Sequence, residues 1–157
     1  MRIVFTLLVA LLFSSCATRR LPKYEKPIRK ETFQTVRTTA YTHTELDHRK
    51  HGNRNAMGTQ LQYGGVTSAA ADWSRWPAGT LFRILPDGGY YRVDDYGWAL
   101  AGRNTIDLYM PTRAMMNAWG VKRVNIEVLE WGDRKESKRI LKPRKKYKHV
   151  RRMLKDL

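Results

Sequence analysis

Aspartates spread through the middle of the chain, Asp72, Asp94, Asp95 and Asp107 among them, are side chains of a type that can move a proton. A carboxylic acid delivers a proton at neutral pH only if its pKa is raised, and burial or a second carboxylate nearby raises it. The residues themselves leave the choice open. Asp beside Gly is common in turns. Asp94 directly precedes Asp95 and would point to the opposite face of a strand, so alternation alone does not say which of the two faces inward. A second cluster, His43, Asp47, His48 and His51, has metal-ligand residue types. Its segment lacks a helix or hairpin to fix tetrahedral geometry and no cysteine assists, so it reads as a solvated loop, with no metal and no cofactor expected.

The chain carries one cysteine, Cys16. It follows Met1-Arg2 and an apolar run from Ile3 to Phe13, the layout of a bacterial leader peptide. Eleven helical residues reach only about 16 Å, too short for a hydrocarbon core of about 30 Å. Leu12-Phe13-Ser14-Ser15-Cys16 resembles a lipobox, the signal of bacterial lipoproteins. That resemblance implies a signal peptide over residues 1–15, lipid attachment at Cys16 and, with Ala17 following, an outer-membrane protein facing the periplasm. The alternative is an ordinary cleaved leader with an incidental cysteine. With the thiol consumed, no disulfide framework is possible.

A net charge of +16 would suggest nucleic acid binding if it lay on a folded surface. It lies at the ends. Residues 36–132 carry 11 Lys/Arg against 9 Asp/Glu, while residues 133–157 carry 12 against 3. No nucleic acid partner is expected. Residues 133–157 read as a basic tail that either is merely solvated or meets an anionic surface, as an amphipathic helix at a membrane if it folds.

Positioning three distant aspartates falls to the elements between those ends. Residues 16–34 are polar, with Pro22 and Pro27, and read as a tether. Residues 35–42 (TVRTTAYT), 65–71, 80–85, 90–94, 105–110 and the alternating Val124, Ile126 and Val128 read as six strands. Trp76-Pro77-Ala78-Gly79 and Asp87-Gly88-Gly89 supply turns. Residues 111–119 read as one short helix, with proline in its first turn and Gly120 past its end. Many short strands with turn signals and one helix indicate a mainly β domain, a small closed barrel over residues 35–132.

Family likeness sharpens this. Val36-Arg37-Thr38-Thr39-Ala40-Tyr41-Thr42, then Gly58-Thr59, Ala71-Asp72, Pro77-Ala78-Gly79-Thr80, the segment from Asp95 to Tyr109, and Trp119-Gly120 stand in the order of one motif set. Over about 95 residues the chain resembles the three-aspartate (3D) domain of membrane-bound lytic transglycosylase A and of small stationary-phase muralytic proteins. The resemblance implies a six-stranded double-psi β-barrel (RlpA-like). It also implies a probable lytic transglycosylase that cuts peptidoglycan between N-acetylmuramic acid and N-acetylglucosamine and leaves 1,6-anhydro ends.

In that reading Asp107 is the acid/base, and Asp95 and Asp72 tune and orient it. Thr39 and Tyr41, on one face of the first strand, and Gly97 and Trp98 are the substrate-binding candidates, although packing is the commoner role for Tyr41, Trp98 and Trp119. Trp98 stands where the family pattern has glycine and Ala101 where it commonly has lysine. Those two residues ground a second expectation, a non-catalytic peptidoglycan-binding lipoprotein. In either case the expected partners are glycan strands and a membrane, and the expected state is a monomer.

Overall fold

The structure is a computed structural model and describes residues 20–46, 48–86 and 88–157. Cys16, the leader expected over residues 1–15, Asp47 and Asp87 lie outside the described residues. All six expected strands are present: β1 (Phe33–Tyr41), β2 (Val66–Ala70), β3 (Leu81–Leu85), β4 (Tyr90–Asp95), β5 (Thr105–Tyr109) and β6 (Lys122–Glu130). They close into a barrel in the order β1-β5-β2-β4-β3-β6, with β6 returning to β1. The β1/β5 and β2/β4 pairs are parallel and the remaining neighbours antiparallel.

Period-two alternation explains which side of each strand turns inward. Val36 on β1, Ala69 on β2, Phe82 and Ile84 on β3, Tyr91 and Val93 on β4, Ile106 and Leu108 on β5, and Ile126 and Val128 on β6 form one buried apolar cluster. Their strand neighbours Thr39, Tyr41, Ala70 and Asp107 therefore project from the other side of the wall. The first helix, α1 (Arg113–Trp119), starts on Thr112, whose Oγ1 accepts the Met115 N–H at 3.2 Å. Pro111 thus sits one residue before the cap rather than inside the first turn.

The chain ends are folded against the barrel, which corrects the expectation of a free tether, a free tail and a single helix. Residues 133–157 form α2 (Arg134–Leu141) and α3 (Lys148–Asp156) around a short 3-10 turn. Asp133 caps α2 by accepting the Lys135 and Glu136 N–H groups. Leu141, Val150 and Met153 are fully buried in the main apolar cluster, and each such burial stabilises by roughly 1.5–3 kcal/mol. Val150, Met153, Leu154 and Leu157 stand at i, i+3, i+4 and i+7, one stripe along α3 and the chain end, and the turn between α2 and α3 brings Leu141 to the same side.

Gly132 makes the docking possible. A Cβ there would collide with the backbone carbonyls of Pro77 and Ala78, so only glycine lets the chain leave β6 across that turn. Ser137 then accepts the Ala78 N–H at 2.9 Å.

The amino-terminal segment is held by the loop that follows β4. Glu25 accepts the Asn104 N–H at 2.7 Å and pairs with Arg103 at 3.2 Å, and its own N–H donates to Gly102 O at 2.8 Å. Arg75 donates to the carbonyls of Glu25 and Gly102 and to Asn104 Oδ1. The proline-containing stretch is thus a strap, because the Glu25 carboxylate and the carbonyls of Glu25 and Lys26 meet donors on the barrel.

Candidate active site

A shift of register places the acids. Along the β2/β4 pair Ala69 faces Val93, but the next residue, Ala70, faces Asp95, leaving Asp94 as the extra residue of a bulge. On its other edge Ala70 pairs with Asp107, and Asp107 pairs with Thr39. Residues directly opposite one another project to the same face. Asp95, Ala70, Asp107 and Thr39 therefore form a row across four strands. The two aspartates are separated by two strand spacings, roughly 10 Å between Cα atoms. The residue between them offers only a methyl group.

This row lies outside the barrel wall, in a setting of its own. Tyr41, Leu61, Ala70, Leu100 and Tyr109 form a second buried apolar cluster around it. Leu61 comes from the segment after β1 and Leu100 from the turns after β4. The segment expected to be a solvated loop, residues 43–60, is mostly exposed but is anchored at two points. Asn55 is buried in it, and Glu45 accepts the Thr42 N–H at 3.2 Å.

Each carboxyl has a distinct environment. Asp95 is 7 % exposed; its Oδ1 accepts the Tyr96 N–H at 2.9 Å and its Oδ2 the Tyr41 hydroxyl at 3.4 Å. Burial pushes its pKa up to about 7, opposed by the Tyr96 N–H and reinforced by the neighbouring Asp94 charge. Asp107 remains partly open to solvent, and its Oδ1 accepts the Thr39 hydroxyl at 2.6 Å. Burial raises it to about 6, against the Thr39 hydrogen bond and with the Glu45 charge adding to the rise. Asp94 Oδ2 accepts from Ser68 Oγ at 2.6 Å and Asn55 Nδ2 at 2.9 Å, while its Oδ1 is buried without a hydrogen bond. Burial raises that carboxyl to about 6 as well.

Asp72 is placed differently. It is fully buried; its Oδ1 accepts the Ser74 N–H at 2.8 Å and the Ser74 hydroxyl at 2.6 Å, and its Oδ2 accepts the Gly102 N–H. Its carbonyl accepts the N–H groups of Arg75 and Trp76, each at 3.0 Å. These bonds tie the turn after β2 to the end of the loop after β4. The carboxylate is spent on bracing that loop.

The four binding candidates divide in two. Thr39 and Tyr41 hold Asp107 and Asp95, as described. Gly97 and Trp98 open the turn that follows Asp95, with Gly97 O accepting the Leu100 N–H at 3.1 Å and Trp98 partly exposed. A Cβ at Gly97 would meet Leu100 only at ordinary contact, 3.6 Å, so no backbone strain demands glycine there. Trp119 packs on the barrel, its Nε1 donating to Thr38 Oγ1 at 3.3 Å.

The histidines border the row. His43 Nδ1 lies 2.8 Å from the Tyr109 hydroxyl, and His48 Nδ1 lies 4.0 Å from Asp95 Oδ2. Burial lowers the His48 pKa, with the His51 charge adding to the effect, so His48 faces Asp95 as a neutral ring near pH 7. Among the described residues no group of three or more His, Cys, Asp or Glu side chains is placed to hold a metal ion.

Several members of this site are not visible as such in the sequence. Asn55 and Ser68 sit 39 and 26 residues from the Asp94 they hold. Arg144, in the segment expected to be a tail, donates to Ala56 O at 3.0 Å and to the Tyr96 hydroxyl at 3.3 Å. The adjacent pair Asp94-Asp95 at a strand end was the one available signal, and it needed the bulge to be resolved.

Fold and site together define a small closed β-barrel that carries two proton-holding carboxyls in one row on its outer face. No family model matches the chain, and a search of curated proteins finds no match.

Proposed function

We propose that this protein is a peptidoglycan-cleaving lytic transglycosylase with a three-aspartate, double-psi (RlpA-like) barrel. The observation that carries the reading is the row Asp95-Ala70-Asp107-Thr39, which sets two acids with raised pKa on one face. The two parallel pairs, β1/β5 and β2/β4, interleaved in a closed six-stranded order, support the double-psi assignment.

Asp107, the more accessible of the two, donates its proton to the oxygen between N-acetylmuramic acid and N-acetylglucosamine. The bond from C1 to that oxygen breaks, and the same carboxylate takes the proton of the muramic C6 hydroxyl as that oxygen bonds to C1. A 1,6-anhydro ring closes without an activated water, so one acid/base suffices where most glycosidases use two carboxylates. Thr39 fixes Asp107 for both steps, and Asp95, held by Tyr41 in the same row, tunes it. The protein acts as a monomer without a cofactor, exported and attached through lipid on Cys16 to the outer membrane.

Ala101 supports the second reading, a peptidoglycan-binding lipoprotein that does not cut. It is fully buried and its carbonyl accepts from Arg152, so no cationic side chain reaches the site from that position. Digestion of purified sacculi followed by mass analysis separates the two. Wild type should release 1,6-anhydromuropeptides, and Asp107→Ala should release them at least about a hundredfold more slowly. Equal release from both proteins removes Asp107 as the acid/base. Sedimentation with sacculi and no soluble product from either protein favours the binding module.

A further inference from the structure

Folding the basic carboxy-terminal segment sorts its charges. Leu141, Val150 and Met153 turn toward the barrel, so the main apolar side is already used, and the half-buried Leu154 and exposed Tyr147 remain at the surface. What faces outward is cationic. Lys142, Lys145, Lys146, Lys148, Arg151 and Lys155 are all exposed, and residues 142–157 contain no exposed acid. Lys145, Lys146, Arg151, Leu154 and Lys155 line one shallow groove, and Tyr24, Arg151, Arg152, Lys155 and Asp156 line the next.

The second groove locates the face relative to the rest of the chain. Tyr24 belongs to the amino-terminal strap, and Arg152 Nη1 donates to Pro22 O at 2.7 Å. The strap therefore leaves the barrel beside α3. Only four residues separate Cys16 from Arg20, a reach of at most about 14 Å when extended. A lipid on Cys16 would thus hold the start of the strap, which runs beside α3, within about two Debye lengths of the headgroups at physiological salt.

We propose that this face of α3 and the turn before it binds the anionic surface of a phospholipid bilayer, and that it acts together with the Cys16 lipid from the same end of the molecule. The inference rests on the exported, lipid-anchored reading above. Five of the six cations are lysines, whose compact charges suit a diffuse anionic surface better than the bidentate gripping of single phosphates for which arginine is preferred. The face lies on a helix and a turn, and its two exposed tyrosines are each covered by a cation, Tyr147 by Lys146 at 5.2 Å and Tyr24 by Arg75 at 5.4 Å, so neither offers an open platform to a base. Two attachments at one end reinforce each other, since the first raises the effective concentration of the second.

The test uses the full chain with Cys16→Ser, which removes the acyl group, against phosphatidylcholine vesicles with and without 30 % phosphatidylglycerol. The readout is the ratio of the two affinities, which an apolar leader that binds both kinds of vesicle would leave near one. That ratio should be large and should fall steeply with salt. With Lys145, Lys146, Lys148 and Lys155 changed to Glu, and Arg151 kept because it holds the carbonyls of Lys145 and Lys146, it should drop by about fivefold for each positive charge lost. These exposed side chains lie outside the acid row, so the reversed variant should keep its melting temperature and its rate on soluble glycan fragments. A ratio near one for the unreversed chain overturns the proposal, and so does tighter binding to duplex nucleic acid than to the anionic vesicles at the same salt. Failure of the lytic reading would appear separately, as absence of anhydro products with vesicle selectivity intact.

Discussion

Asp72 and the Asp95-Asp107 row are buried carboxyls of one chain, yet they are built on opposite plans. Asp72 accepts three hydrogen bonds, two of them from backbone N–H groups of the turns it joins. Asp95 and Asp107 are enclosed by an apolar cluster and meet fewer donors, so burial dominates and both hold a proton more readily than an ordinary aspartate. The same side chain therefore serves as a brace where donors converge and as an acid where they do not. Residue type says little; the count and aim of the donors decide.

The largest effect expected from this contrast is at the brace. Asp72→Ala leaves the buried Gly102 and Ser74 N–H groups without their acceptor, and each such orphan costs about 1–3 kcal/mol. A loss of about 3 kcal/mol or more in chemical denaturation is expected. A change within experimental error would mean that the turn at residues 72–76 and Gly102 do not depend on this carboxylate, and the contrast would fail.

Asp95→Asn should act with the opposite sign. The folded carboxyl has its pKa raised to about 7 while the unfolded one stays near 4, so the folded state binds the extra proton between those values and wild-type stability falls as pH rises through that window. Asparagine does not ionise. The variant should be more stable than wild type by about 2–4 kcal/mol at pH 8 and no different at pH 3.5. Melting curves across pH for both proteins check this, and a wild-type curve that rises from pH 4 to 7 would contradict it. Asp94 and Asp107, both raised to about 6, should add slope below pH 6 in both proteins.

The sequence showed the barrel well because its signals are local. Val36, Ile106, Ile126 and Val128 alternate with polar residues, and Gly79 and Gly120 mark ends, so all six strands and the first helix could be read within a residue or two. The site was named only in part from the sequence: Asp95, Asp107, Thr39 and Tyr41 come together, and Asp72 stands apart as a brace. It was not legible where one-residue geometry or long-range packing decides. Whether Asp94 or Asp95 joins Asp107 depends on a bulge opposite Ala69-Ala70, a property of the pair of strands rather than of either one. The two ends were misread for a related reason. Charge density in residues 133–157 hides the short stripe Val150, Met153, Leu154 and Leu157, which Leu141 joins only after the chain turns between α2 and α3.

A smaller effect is expected at Thr39. Its hydroxyl donates to Asp107 at 2.6 Å and so favours the ionised form. Thr39→Val keeps the shape and removes the donor, which should cost about 1 kcal/mol at pH 8 and raise the Asp107 pKa further. In the lytic reading, the basic limb of the pH-rate profile moves upward, because the proton-carrying form then persists to higher pH. An unmoved limb with reduced stability would confine Thr39 to packing.

The smallest expected effect reaches the acid row from the folded end. Arg144 holds the carbonyl of Ala56, and the Ala56 backbone N–H is among the groups that favour the ionised form of Asp95. It also donates to the hydroxyl of Tyr96, whose N–H binds the same carboxyl. Arg144→Gln weakens this second layer without removing a direct ligand of Asp95. Stability should fall by about 0.5–1 kcal/mol, a drop of roughly 1–4 °C in Tm for a chain of this size. The Asp95 carboxyl, followed by NMR titration of its side-chain carbon, should titrate at higher pH than in wild type. If Tm falls but the titration stays fixed, the carboxy-terminal helices merely pack beside the acids. If both move, the segment that looked like a tail helps set the proton affinity of the site, and the contrast between brace and acid extends across the whole chain.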